Sequence, residues 1–173
     1  MGIYHLSVKV MSRSTGRSAI AAAAYRSASE LHDERLRQTH DYTAKTGVVH
    51  SEILLPEGAP ARLLDRTTLW NEVERVEVRK DAQLAREVEF SIPREMSQAE
   101  GIRLAGDFAH EQFVARGMVA DLNVHWDIGE DGVPGPVNSP PKADPNRHLR
   151  PDETATLLPE ALSLGRGRSA ADG

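Results

Sequence analysis

The chain contains no cysteine, which excludes disulfides and thiolate chemistry and allows a reducing compartment. It has no apolar run near the roughly 20 residues that a membrane span requires. The run Ala19–Ala24 is too short and too far in for a signal peptide, so the expectation is a cytoplasmic protein with no membrane segment. Positive charge is not in excess: 21 Lys and Arg stand against 26 Asp and Glu, for a net charge of −5. That balance argues against a passive coat on nucleic acid. Aromatic residues make up only 5% of the chain, and residues 133–173 hold none while holding seven of the ten prolines. Strand periodicity also stops there. A length of 173 residues then predicts one domain over 1–132 and a Pro-rich, disordered tail over 133–173.

The charge that is present is unevenly placed. Residues 1–50 carry seven Lys and Arg against four Asp and Glu, whereas residues 51–100 carry seven against eleven. A basic N-terminal part on an acidic protein suits a local phosphate site. Its centre is Ser12–Arg26, S-R-S-T-G-R-S-A-I-A-A-A-A-Y-R. Turn residues come first, and Ser14 or Ser18 can cap a helix. The Ala-rich run that follows predicts a thin helix reaching to about Arg35. Arg13, Arg17 and Arg26 surround the helix start, where exposed N–H groups already favour an anion. Tyr25 lies a little more than a turn inside. By chemistry alone, a tyrosine in such a helix is ordinarily a packing residue with a wet hydroxyl.

Period-two alternation predicts strands over residues 3–10, 48–55, 85–92 and 119–127. Helical spacing predicts helices over 63–80 and 97–115, the latter opened by a Ser97–Glu100 capping box. Thr39–Gly47 reads as a polar turn. The order β-α-β-α-β-α-β with alternating strands predicts an α+β fold, an antiparallel or mixed sheet with helices on one face. On the first strand Leu6, Val8 and Val10 form the apolar side. The polar side of the sheet carries His5, Glu87, Glu89 and His125. Glu87 and Glu89 point the same way, and if their strand neighbours that of His125, two carboxylates and an imidazole converge. Such a group can hold a divalent metal or accept a proton. An alternating pair of glutamates is also simply the wet face of a strand.

Several words of the chain together resemble the N-terminal nicking domain of MobA/MobL-type relaxases, including the TraA conjugal-transfer relaxases. They are I-Y-H-L-S-V-K at 3–9, the 12–26 stretch, L-H-D-E-R, H-D-Y-T, G-V-V-H-S-E-I-L-L-P at 47–56, L-W-N-E-V-E at 69–74 and A-R-E-V-E-F-S-I-P at 85–93. The resemblance implies a palm-like sheet of the His-hydrophobic-His relaxase type with flanking helices. It implies a site- and strand-specific nick at a plasmid or mobile-element transfer origin by tyrosine transesterification. Tyr25 falls on the nucleophile, Glu87 and Glu89 on the glutamate pair, and His125 on the first of three metal-binding histidines. Mg²⁺ or Mn²⁺ is the implied cofactor. Single-stranded origin DNA and relaxosome accessory proteins are the implied partners, with Arg13, Arg17 and Arg26 on phosphate.

One departure stands out. The family's His-x-His strand has no counterpart after Gly129–Gly132, where only His148 occurs, among prolines. A shift of reading frame after about Gly132 would account for the simultaneous loss of motif, aromatics and periodicity. The sheet is then expected to lack a strand and the metal to bind weakly, so that nicking is impaired. The alternative is a catalytically inactive remnant that binds single-stranded DNA.

Overall fold

A computed structural model describes residues 6–13, 18–93, 95–128, 134–136 and 154–157. The strands are β1 (Leu6–Ser12), β2 (Glu30–Asp33), β3 (Gln38–Asp41), β4 (Val48–Leu54), β5 (Gln83–Phe90), β6 (Ala120–Ile128), β7 (Pro134–Pro136) and β8 (Thr154–Leu157). The helices are α1 (Ala19–Ser27), α2 (Arg66–Val76) and α3 (Gln98–Gln112), with short 3-10 turns at Ala61–Leu64 and Val114–Arg116. The main sheet runs β1-β5-β8-β6-β4, with β7 added to β6, and every pairing is antiparallel. β2 and β3 form a separate hairpin. The expected α+β, palm-like sheet with flanking helices is therefore present.

Three expectations need correction. The Ala-rich helix ends at Ser27, well short of Arg35. Ala28 turns into the left-handed region at φ 50°, and the Ser29 N–H closes back on the Ala24 carbonyl at 3.0 Å. The polar residues after it form β2 and β3, so that Thr39, His40 and Asp41, the first residues of the predicted turn, lie in the strand Gln38–Asp41. Propensity favoured a longer helix, but Leu31 and Asp33 alternate into the interior and fix a strand instead.

The helices, secondly, cover both faces of the sheet. Arg26 of α1 reaches Glu87, and Arg66 and Trp70 of α2 reach Asp121, so α1 and α2 lie on the face expected to be open. Their layer is a core of Ile20, Ala23, Ala24, Leu63, Leu69, Trp70 and Val73. Each fully buried Leu or Ile there contributes about 1.5–3 kcal/mol. α3 packs on the opposite face, over Ile92, Leu122 and Val124. The apolar side of β1 is consequently outside both cores: Leu6 is 64% exposed and Val8 60%.

Thirdly, the sheet is not short of a strand between β5 and β6. Thr154–Leu157 pairs with both. This β8, like β7, lies in the stretch read as a tail; the remainder of that stretch, including His148, and the turn Gly129–Gly132 before it lie outside the described residues.

Candidate active site

The N-terminus of α1 is set by one hydroxyl. Ser18 accepts from the Ala21 N–H at 3.1 Å and donates to Asp33 Oδ2 at 2.6 Å. Asp33 is fully buried and also accepts from the Leu36 N–H at 2.9 Å. One cap thus ties α1 to the β2–β3 hairpin. After β1, Arg13 donates to the carbonyls of Glu74 and Glu77 at 2.7 and 2.5 Å and pairs with Glu74 Oε2 at 2.8 Å. A cation there complements the C-terminal end of α2. Arg26, only 6% exposed, places Nε and Nη2 at 2.8 and 2.5 Å from Glu87 Oε1. Two of the three arginines expected on phosphate are therefore held by protein oxygen atoms. Arg17 and His5 lie outside the described residues.

Tyr25 is half-buried on α1. Its ring meets Tyr42 edge-on, centroids 5.3 Å apart at 90°. Lys45 Nζ stands 3.9 Å from the ring centroid and donates to the Tyr25 carbonyl at 3.0 Å. Lys45 is three residues before Val48, a chain distance of at most about 11 Å. Val48 is the register partner of His125. The same segment is fastened to β6 directly, since the Trp126 N–H donates to the Gly47 carbonyl at 2.7 Å. Tyr25 is thereby linked, through Lys45, to the segment that leads into the partner strand of His125. Through Arg26 its helix lies on the Glu87 face.

Glu87 and Glu89 do share a face, and both are buried, at 7% and 8% exposure. Each has a cation. Glu87 has Arg26, and Glu89 takes both oxygens to Lys9 Nζ at 3.0 and 3.1 Å. The expected convergence with His125 is not reached. Glu87 and Asp121 both register with Thr156 of β8, and Glu89 and Asn123 with Thr154. An intervening strand puts β5 and β6 about 10 Å apart, and His125 lies one side-chain repeat beyond Asn123.

His125 is buried at 6% exposure on β6, in line with Asn123 and Asp121. Those two carry a polar network that the sequence reading did not assign. Asp121 accepts from Arg66 at 2.9–3.2 Å, from Trp70 Nε1 at 2.8 Å and from Asn123 at 3.0 Å. Asn123 in turn accepts from the Ser51 hydroxyl at 2.6 Å. The signal for it was three polar residues at i, i+2 and i+4 on one strand. Among the described residues no three His, Cys, Asp or Glu side chains group to hold a metal ion. Asp121, Glu87 and Glu89 are bound to protein cations, so the described residues do not fit a complete metal centre.

The sequence matches the MobA/MobL family over residues 17–149, a range that continues past Gly132. It is 48% identical over 125 residues to a mobilization protein MobL of Acidithiobacillus ferridurans, covering 72% of this chain and 32% of that protein. It is 40% identical over 143 residues to a conjugal transfer protein TraA of Rhizobium radiobacter, covering 77% of this chain and 13% of that one. The chain thus spans a third or less of the length of these relatives. A solved structure described as the molecular basis of vancomycin resistance transfer in Staphylococcus aureus is similar at a TM-score of 0.72 and 34% identity, covering 91% of this chain and 69% of the other. The chain belongs to the MobA/MobL family, and its antiparallel sheet with flanking helices is of the relaxase type.

Proposed function

We propose that the chain is the DNA-processing part of a conjugative relaxase that binds single-stranded transfer-origin DNA and attacks it with Tyr25. The observation that supports this reading most is that Tyr25 stands on α1 next to Arg26, which reaches Glu87, and that Lys45, over the Tyr25 ring, lies three residues before Val48, the register partner of His125. In the attack, Tyr25 Oη gives up its proton and bonds to phosphorus, the P–O3′ bond breaks, and the released 3′ oxygen takes up a proton, so that none is gained or lost overall. A phosphotyrosine ester remains, so the bond energy is kept for rejoining. We assign His125 to a divalent cation, Mg²⁺ or Mn²⁺. With Glu87, Glu89 and Asp121 bound to Arg26, Lys9 and Arg66, we propose that the cation binds weakly and that cutting is slow. Accessory proteins of the relaxosome and a cytoplasmic location belong to the same reading. Among the described residues no helix is long and apolar enough to cross a membrane.

The test is covalent capture. The protein is incubated with a randomised single-stranded DNA pool and Mn²⁺ or Mg²⁺ and run on a denaturing gel. The expected result is a slow adduct that disappears in Tyr25→Phe. DNA binding without any adduct favours the second reading, an inactive single-strand-binding remnant, which the incomplete metal donor set supports. No binding at all removes both.

A further inference from the structure

The word His40-Asp41-Tyr42-Thr43 and the lysine that follows it play no part in the chemistry above. Their geometry is nevertheless built up in steps. Asp41 Oδ1 accepts from the Thr43 N–H at 2.9 Å and from the Thr43 hydroxyl at 2.7 Å, a side-chain-closed turn at the end of β3. The Lys45 N–H then donates to the Tyr42 carbonyl at 2.9 Å, closing a second turn over it. The Tyr42 N–H donates to the Ser29 carbonyl at 3.2 Å, which fastens both turns beside the end of α1. Two side chains return from this turn to a single residue. Tyr42 sets its ring at 90° to that of Tyr25, and Lys45 sets its ammonium over the Tyr25 ring face.

We infer that Tyr42 and Lys45 are positioning residues, a clamp that fixes the direction of the Tyr25 phenol before DNA arrives; this rests on the reading of Tyr25 as the nucleophile. A helical tyrosine has two χ1 rotamers to choose from, and its hydroxyl swings through several ångströms between them. An edge-on aromatic contact is worth about 0.5–1.5 kcal/mol and a cation over the ring face about 0.5–1 kcal/mol at an exposed site, and together they favour one rotamer. Lys45 holds the backbone of the same residue as well. Its bond to the Tyr25 carbonyl at 3.0 Å satisfies one of the last carbonyls of α1, which have no partner within the helix. Ring and main chain are gripped by one ammonium, so the phenol direction is coupled to the helix end. A misplacement of about 1 Å at a reacting atom is enough to slow a reaction strongly.

The experiment uses the full 173-residue chain. In ¹H–¹³C spectra the Lys45 ε-methylene protons are expected upfield of those of Lys9 and Lys80, and the displacement is expected to vanish in Tyr25→Leu. A Lys45 signal among the other lysines overturns the clamp. Adduct formation is then followed in single turnover at saturating DNA, with the strand that the wild-type protein captures from the randomised pool. Lys45→Met is expected to react about fivefold slower with unchanged DNA affinity, which corresponds to about 1 kcal/mol, and Lys45→Arg to recover most of the rate. An unchanged rate, or a loss that appears only as weaker DNA binding, overturns a positioning role. If the wild-type chain forms no adduct with either metal, the nucleophile reading fails and takes the catalytic purpose of the clamp with it. The ring-current shift still decides whether the clamp exists.

Discussion

The two halves of the site are built differently. Around Tyr25, Arg26 of α1 ends on Glu87, Tyr42 meets the Tyr25 ring edge-on and Lys45 takes the Tyr25 carbonyl, and the helix that carries the phenol is held at both ends. Around His125, the same density of bonds serves the strand rather than a ligand. Asp121 and Asn123 are held by Arg66, Trp70 and Ser51, and the carboxylates of β5 pair with Arg26 and Lys9. The Tyr25 half grips the residue we propose as the nucleophile. The His125 half, among the described residues, holds the sheet together.

The largest effects come from pulling out the anchor of each half. Arg26→Met leaves Glu87 buried without its cation, and Asp121→Ala leaves Arg66 and the Trp70 N–H without their acceptor. Removing one member of a buried pair costs about 3–5 kcal/mol, so either variant is expected to shift a urea unfolding midpoint strongly. A shift equivalent to less than 1 kcal/mol in one of them would show that its half is held by packing alone. Only Arg26→Met is expected also to slow adduct formation beyond its effect on stability, because only it releases the helix of Tyr25.

The next effect reaches β6 from its other face. A Cβ at Gly101 of α3 would stand 2.9 Å from both Ile92 Cγ2 and Trp126 Cζ3. Gly101→Ala gains about 1 kcal/mol of helix propensity, but overpacking against a rigid indole costs about 1–3 kcal/mol. A net loss of thermal stability is expected; a gain would mean that α3 is free to move away from the strand of His125.

Acid distinguishes the turns and caps. Hydrogen bonds from Thr43 hold the Asp41 carboxyl below its usual value, those from Thr68 do the same for Asp65, and those from Ser97 for Glu100. A lowered carboxyl contributes stability above its unfolded value near 4, and that contribution is lost as pH falls through the folded value. The melting temperature is therefore expected to hold from neutral pH down to about 5 and to fall below about 4. Asp65→Asn, which keeps an oxygen to cap α2, is expected to flatten part of that fall. An unchanged profile would remove Asp65 from the account.

The smallest expected effect is a gain. Ala28 sits at φ 50°, a conformation that costs a residue with a Cβ about 1 kcal/mol. Ala28→Gly is expected to raise the melting temperature slightly without changing where α1 ends; a loss would mean that the Ala28 side chain is needed at the helix end.

Much of this was legible in local sequence and some of it could not be. The Ser97–Glu100 box appears as predicted, with Ser97 accepting from the Glu100 N–H and Glu100 returning to the Ser97 N–H. Strands β4, β5 and β6 follow their alternation, because a period-two pattern is read within one element. The end of α1 was hidden because alanine carries no signal for a left-handed residue. Two-sided covering of the sheet was hidden because it depends on which strands α1 and α2 cross. Partnerships such as Arg26 with Glu87, 61 residues apart, or Trp70 with Asp121, 51 apart, exist only once the sheet is assembled. So Tyr25, Glu87, Glu89 and His125 could be proposed from the family resemblance, whereas what each one touches could not be read from the chain.

The central claim is that residue 25 is the oxygen that takes the DNA. Digesting the covalent adduct with trypsin and sequencing the nucleotide-bearing peptide by mass spectrometry tests it most directly. The account predicts the label on the peptide Ser18–Arg26, at Tyr25. A label on Gln38–Lys45, at Tyr42, would contradict it.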